Sequence, residues 1–103
     1  MSTPFRLGIA GLGTVGTGVV KIVQTHGAML AAKAGRPVEI AAVSARNRTR
    51  DRGVDLSAYA WEDDATRLAH RDDVDCVVEV IGGSDGPAKA LAEQALAAGK
   101  HVV

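Results

Sequence analysis

The sequence predicts an α/β fold: a mostly parallel β-sheet covered by helices on both faces, in a three-layer α/β/α arrangement. Three observations predict it. Short apolar runs rich in β-branched residues alternate with longer segments of helical periodicity. Glycines cluster at the boundary between the first run and the first helix, and the 103 residues are 47% hydrophobic and 23% charged. That length and composition suit one compact domain with its own core, spanning 1–103, and leave no room for a second. Strands alternating with helices imply parallel pairing through right-handed crossovers, because each helix must return the chain to the same end of the sheet.

The elements follow in order. Arg6 to Ala10 is short, mostly apolar and ends in glycines, as a buried parallel strand does. Thr14 to Ala34 places Val15, Val19, Ile22, Val23, Met29 and Leu30 at spacings near three and four, which predicts one long amphipathic helix kinked at Gly27. Gly35-Arg36-Pro37 supplies a glycine cap and a proline stop, after which Val38 to Val43 is a second strand. Ser44 to Tyr59 is polar, with Arg46, Arg48, Arg50 and Arg52 alternating with small or polar residues, and is expected to be a loop. Asp63 or Asp64 caps a short helix through His70, and Val74 to Ile81 is the next strand. Gly82 to Pro87 turns the chain into a helix that ends near Ala98 with Gly99 as its cap, and Lys100 to Val103 opens a further strand. The sheet is therefore expected to be incomplete at its carboxyl end.

Twelve basic and twelve acidic residues cancel, so no global field draws in nucleic acid or an anionic membrane surface. With only Phe5, Tyr59 and Trp61 as aromatics, no stacking platform for single-stranded bases is expected. No segment approaches the ~18 to 20 apolar residues that span a bilayer, and the amino terminus lacks a signal-like pattern. The single cysteine, Cys76, sits in an apolar run and is read as a buried, reduced thiol. These features together predict a cytoplasmic protein that binds neither nucleic acid nor membrane. His26, His70 and His101 show no ligand spacing, so no metal site is expected.

Gly11-Leu12-Gly13-Thr14-Val15-Gly16 has the form G-x-G-x-x-G. Alone the pattern is weak; its place between a predicted strand and a predicted helix, with another strand beyond, is the arrangement that binds a dinucleotide. Gly11 makes the tight turn, Gly13 lets the backbone approach a pyrophosphate, and Gly16 lets helix and strand pack closely. The bare amides of the first helical turn and the positive end of its dipole then face the anion without a lysine nearby. The fold this implies is Rossmann-type.

Folds specific for NAD place an Asp or Glu at the end of the second strand, where it binds the ribose hydroxyls. Here the strand runs out at Val43-Ser44-Ala45-Arg46, and the residue placed to meet the ribose is a cation. A guanidinium suits a 2′-phosphate, so NADP is the expected cofactor, with NAD as the alternative. Arg48 and Arg50 either reinforce this or belong to a solvated loop. Ile81-Gly82-Gly83 ends the third long strand where open α/β sheets place ligands; on pattern alone it either lines the nicotinamide ribose or starts the next helix. Glu79, within the same run, is read as facing an edge or a polar partner rather than as a general base.

Taken together, Gly8 to Val20, Ala42 to Arg46, Glu79 to Gly83 and Ala98 to Val103 resemble the amino-terminal domain of homoserine dehydrogenase over nearly the whole chain. The resemblance implies an NAD(P)-dependent hydride transfer that interconverts aspartate 4-semialdehyde and homoserine, on the route to threonine, methionine and isoleucine. It implies that Leu12, Gly13, Thr14, Val15 and Gly16 form the pyrophosphate loop beside Gly11, that Arg46 meets the 2′-phosphate with Ala45 and Arg48 among the cofactor-binding residues, and that Ile81, Gly82 and Gly83 lie near the nicotinamide ribose. Catalytic residues, substrate domain and dimerisation region lie beyond Val103 in that family, so the chain alone is expected to bind dinucleotide without turnover, and the small-molecule substrate and a homo-oligomer belong to the longer protein. Two other readings stand beside this one: a stand-alone nucleotide-sensing module, against which the half-finished last strand argues, and another Rossmann-fold oxidoreductase such as a sugar dehydrogenase.

Overall fold

The computed structural model describes residues 3–81 and 86–103. Five parallel strands, β1 (Phe5–Ala10), β2 (Val38–Ser44), β3 (Ala60–Trp61), β4 (Cys76–Glu79) and β5 (His101–Val102), form one sheet in the order β3-β2-β1-β4-β5. The chain first builds outward from β1 to β3, then returns to β1's other side to lay down β4. The order therefore reverses between β1 and β4, and the carboxyl ends of those strands flank a crevice.

Helices cover both faces. On one side α1 (Thr14–Thr25) packs Val19, Val20 and Val23 against Leu7 and Ile9 of β1, Ile40 and Val43 of β2, and Cys76 and Val78 of β4. On the other, a 3₁₀ helix (Ala65–His70) and α3 (Pro87–Ala97) bring Leu68, Ala69, Leu91 and Ala95 onto Ala10, Ala42 and Val77. Alternate residues of β1 thus serve opposite layers, as the strand period of two requires. The second face is lined by small residues, and a Cβ on Gly8 would already lie 3.1 Å from Val74 and 3.4 Å from Leu68. In β2 the alternation is interrupted. Leu7 pairs with Ile40 but Gly8 pairs with Ala42, so Ala41 is an extra residue opposite that step. The bulge is why Ile40 and Val43, three apart, both face α1.

Several expectations are corrected. The single helix over 14–34 is two, α1 and α2 (Gly27–Ala34), and the break is at His26, which ends one and begins the other at φ −118° and ψ 28°, one residue before the kink expected at Gly27. The apolar stripe is also displaced: Gly16 and Val20 are buried, whereas Val15 is 64% and Ile22 50% exposed. The reason is close packing of helix on strand at Gly16, which turns the Gly16 and Val20 side of the helix to the sheet. Strand Val74 to Ile81 contracts to Cys76–Glu79, although the flanking Asp75 and Val80 amides still donate across to the carbonyls of Arg6 and Ala10 at 2.8 Å each. β3, two residues long, lies just beyond the expected loop and was not foreseen; its pattern is too short to carry a period. Asp64, not Asp63, caps the short helix, accepting from the Thr66 amide at 3.0 Å, and that helix is 3₁₀. Among the described residues no helix is long and apolar enough to cross a membrane.

Candidate functional site

The floor of the crevice is the turn from β1 into α1. Gly11 has φ +99°, and a Cβ there would lie 2.7 Å from the Val80 carbonyl oxygen, so both backbone angle and space demand glycine. Its amide donates to the Ser44 carbonyl of β2 at 2.8 Å, which ties the turn to the neighbouring strand. Leu12 is buried in the core, and Gly13 then begins the helix without a side-chain cap. The first helical bond runs from the Thr17 amide to the Gly13 carbonyl at 2.9 Å, so the amides of Thr14, Val15 and Gly16 precede any helical acceptor. The Thr17 hydroxyl donates to the Leu12 carbonyl at 3.0 Å and steadies the loop. The first turn of α1 carries no acidic residue to compete with an anion.

The three glycines differ. A Cβ on Gly13 meets nothing within 4 Å, whereas one on Gly16 would sit 1.8 Å from the Gly11 carbonyl oxygen. Gly16 is therefore a packing requirement of the fold itself. Gly13 faces the crevice, and its missing side chain serves no contact among the described residues.

The second wall comes from the end of β4. The Val80 amide donates to the Ala10 carbonyl at 2.8 Å and brings the chain alongside Gly11. Ile81 lines the crevice and is 37% exposed; its amide donates to Glu79 Oε1 at 2.6 Å, which gives Glu79 a polar role in shaping this turn. Gly82 and Gly83 lie outside the described residues.

The third wall is the loop after β2. Asn47 takes φ +54°, a left-handed conformation that asparagine tolerates, and the Arg50 amide closes the turn on its carbonyl at 3.1 Å. Ala45, Arg46, Arg50 and Arg52 line the crevice from this turn. Arg48 does not; its guanidinium carbon stands 5.8 Å from the centroid of Trp61, with that of Arg52 at 5.7 Å from the same ring. Facing them, Asp63, Asp64 and Ala65 close the crevice at the start of the 3₁₀ helix. Asp63 accepts from the Trp61 indole at 3.0 Å, and the Thr66 hydroxyl and amide hold the Asp64 carboxyl below its usual range.

The whole is an open crevice of about 710 Å³ at the point where the strand order reverses. Its volume falls within the roughly 300 to 1,000 Å³ typical of ligand sites. A glycine with room for an oxygen beside it, bare helical amides and arginines at the far end of β2 suit the diphosphate and ribose of a dinucleotide. Of the residues singled out in the sequence, Gly11, Leu12, Gly13, Ala45, Arg46 and Ile81 come together on this crevice, and Thr14, Val15 and Gly16 form the helix start beside it. Sequence reasoning missed Arg52, Trp61 and the acidic wall at Asp63 and Asp64. Arg52 was visible only as one more member of an alternating basic run.

Comparison with known proteins agrees with this geometry. Residues 11–103 match the family model for the homoserine dehydrogenase NAD binding domain. The homoserine dehydrogenase of Bacillus subtilis is 42% identical over 98 residues, covering 95% of this chain and 22% of that protein. Among solved structures, homoserine dehydrogenase of Staphylococcus aureus superposes with a TM-score of 0.86 at 29% identity, over 99% of this chain and 26% of the other. That of Thiobacillus denitrificans gives 0.85 at 31% identity, over 97% and 23%. The chain thus spans about a quarter or less of the length of these relatives. The bend at Gly11, the bare amides beyond Gly13 and a match that runs from that bend to Val103 lead to one conclusion: the chain belongs to the homoserine dehydrogenase NAD binding domain family, which binds a nicotinamide dinucleotide.

Proposed function

We propose that this chain is the cofactor-holding part of an NADP-preferring homoserine dehydrogenase, which interconverts homoserine and aspartate 4-semialdehyde on the route to threonine, methionine and isoleucine. The observation that carries the cofactor preference is the loop after β2, where Arg46 and Arg50 line the crevice at the ribose end of the site. An acid there would repel a 2′-phosphate; a guanidinium donates to it through a planar fork.

In this reading the amides of Thr14, Val15 and Gly16 receive the diphosphate, Gly13 leaves room for it, and Ala45 and Arg46 meet the 2′-phosphate with Arg48 nearby on Trp61. Ile81, with Gly82 and Gly83, borders the nicotinamide ribose. When bound, the nicotinamide supplies the two-electron exchange with the substrate carbon. The chain's own share is to orient the dinucleotide along the carboxyl ends of β1 and β4. The groups that bind homoserine and move its proton, and the surface that makes a homo-oligomer, are assigned to the remainder of a longer protein. A buried cysteine thiol, which burial pushes above its usual range, fits the reducing cytoplasm as the compartment.

The test is Arg46→Glu in the full gene product, with Kd for NADP and NAD measured in parallel and oxidation of homoserine followed with each. One lost charge-assisted contact is worth about 1.5 to 3 kcal/mol, so NADP affinity is expected to fall by roughly ten- to a hundredfold while NAD affinity holds or improves. Equal losses for both cofactors would remove Arg46 from the 2′-phosphate site. Absence of homoserine turnover by the full gene product would remove the activity.

A further inference from the structure

Arg52 is tied to its surroundings more tightly than any other arginine of the crevice. Its Nη1 donates to the Arg50 carbonyl at 3.1 Å, and its Nη2 donates to the carbonyls of Arg46 and, at 3.1 Å, Asn47. The guanidinium lies over Trp61. Trp61 is in turn fixed: it pairs with Val43 in the sheet, the next amide, Glu62, donates to the Val43 carbonyl at 2.9 Å, and the indole donates to Asp63. The Arg52 Nε is buried with no partner, so the guanidinium is held where it is by the ring and the three carbonyls even with one donor bare. Those carbonyls belong to the turn that brings Arg46 and Arg50 onto one crevice.

We propose that Arg52 is a positioning residue for cofactor discrimination: braced on Trp61, it clamps the main chain of residues 46–50 so that the Arg46 and Arg50 guanidinium groups meet the 2′-phosphate of the dinucleotide. The inference rests on the NADP preference proposed above. It assigns Arg52 a role through the backbone rather than through its charge. Three carbonyls at different points of a turn are reached by a planar, forked cation; a lysine has the charge but a single ammonium, and cannot span them. Disorder of the turn then affects the ligand with the extra phosphate, because the diphosphate is held elsewhere, at the start of α1.

The experiment compares Arg52→Lys, Trp61→Leu and Trp61→Phe with the parent in the full gene product, titrating NADP and NAD separately. Arg52→Lys is expected to weaken NADP about tenfold or more while changing NAD by less than about twofold; Trp61→Leu shows the same selective loss of NADP, and Trp61→Phe, which keeps an aromatic face, retains most of the NADP affinity. Direct charge contact by Arg52 predicts instead that Arg52→Lys keeps the parent's NADP-to-NAD ratio, and that result overturns the inference while leaving the NADP reading intact. Equal weakening of both cofactors also overturns it, since a purely structural loss has no preference. A parent that binds the two cofactors equally overturns both readings together.

Discussion

Replacing Gly13 by alanine separates what the fold needs from what a ligand needs. The residue has φ −77° and ψ −155°, an extended backbone outside the left-handed region that glycine alone favours, and a Cβ there meets no atom within 4 Å. Folding should therefore be indifferent, or gain up to about 1 kcal/mol because alanine restricts the unfolded chain more than glycine does. Binding should not be. Phosphate oxygens accept from amide N–H groups at N···O distances of roughly 2.7 to 2.9 Å, and the added methyl occupies the space that such an approach requires. Displacing the diphosphate enough to lose a single charge-assisted amide bond, at about 1.5 to 3 kcal/mol, raises Kd by roughly ten- to a hundredfold; losing two compounds the effect. The assay is calorimetric titration with NADP and NAD beside urea-induced unfolding of the same samples. The expected outcome is an unchanged or slightly higher unfolding midpoint with both cofactors weakened at least about tenfold. Parental affinity in the variant would show that the dinucleotide does not pass over Gly13, and the orientation derived for it would be wrong.

Gly16→Ala should fail in both assays, because its Cβ would fall 1.8 Å from the Gly11 carbonyl and the helix must retreat from β1 to relieve it; overpacking of this kind costs about 1 to 3 kcal/mol or more, read as a lower urea midpoint together with lost binding. Leu91→Ala, at a fully buried site between α3 and the sheet, should cost about 2 to 5 kcal/mol in urea unfolding while leaving the crevice residues in place. Acid should destabilise the sheet through two carboxylates. The Arg6 side-chain hydrogen bond holds Asp75 below its usual range, and that of Arg71 does the same for Asp73. A folded value below the unfolded one gives stabilisation that is complete above about pH 4 and is lost as pH falls through the folded values, so Asp75→Asn should flatten the acid limb of the unfolding-midpoint profile.

The parts legible in the sequence were those with a local cause. The glycine pattern at Gly11, Gly13 and Gly16 encodes a turn, an opening and a close contact within six residues, and the described backbone realises the turn and the close contact at its first and last members. The apolar runs located β1, β2 and β4 because buried parallel strands need no partner to be visible. What escaped depended on distant parts of the chain. Burial of Val20 in preference to Val15 follows from how α1 sits on β1, not from the spacing of its apolar residues. β3 exists because Ala60 and Trp61 find Ala42 and Val43 beside them, and two residues carry no pattern. Arg52 looked like its neighbours Arg48 and Arg50 until its bonds to three backbone carbonyls set it apart.

The additional alanine in β2 has an effect beyond the packing of Ile40 and Val43. Downstream of it, Ser44 presents its carbonyl level with the Gly11 amide. Deleting Ala41 would leave that acceptor in place: Ile40 and Ala42 would become neighbours opposite Leu7 and Gly8, and Val43 and Ser44 would keep Ile9 and Ala10 as partners. What would go is the bend and added right-handed twist that a bulge puts into its strand, and with them the heading at which Ala45 and Arg46 leave the sheet for the crevice. The inserted residue thus bears on the direction of the arginine loop, while the pairing resumed at Ala42 keeps it level with the anion cradle.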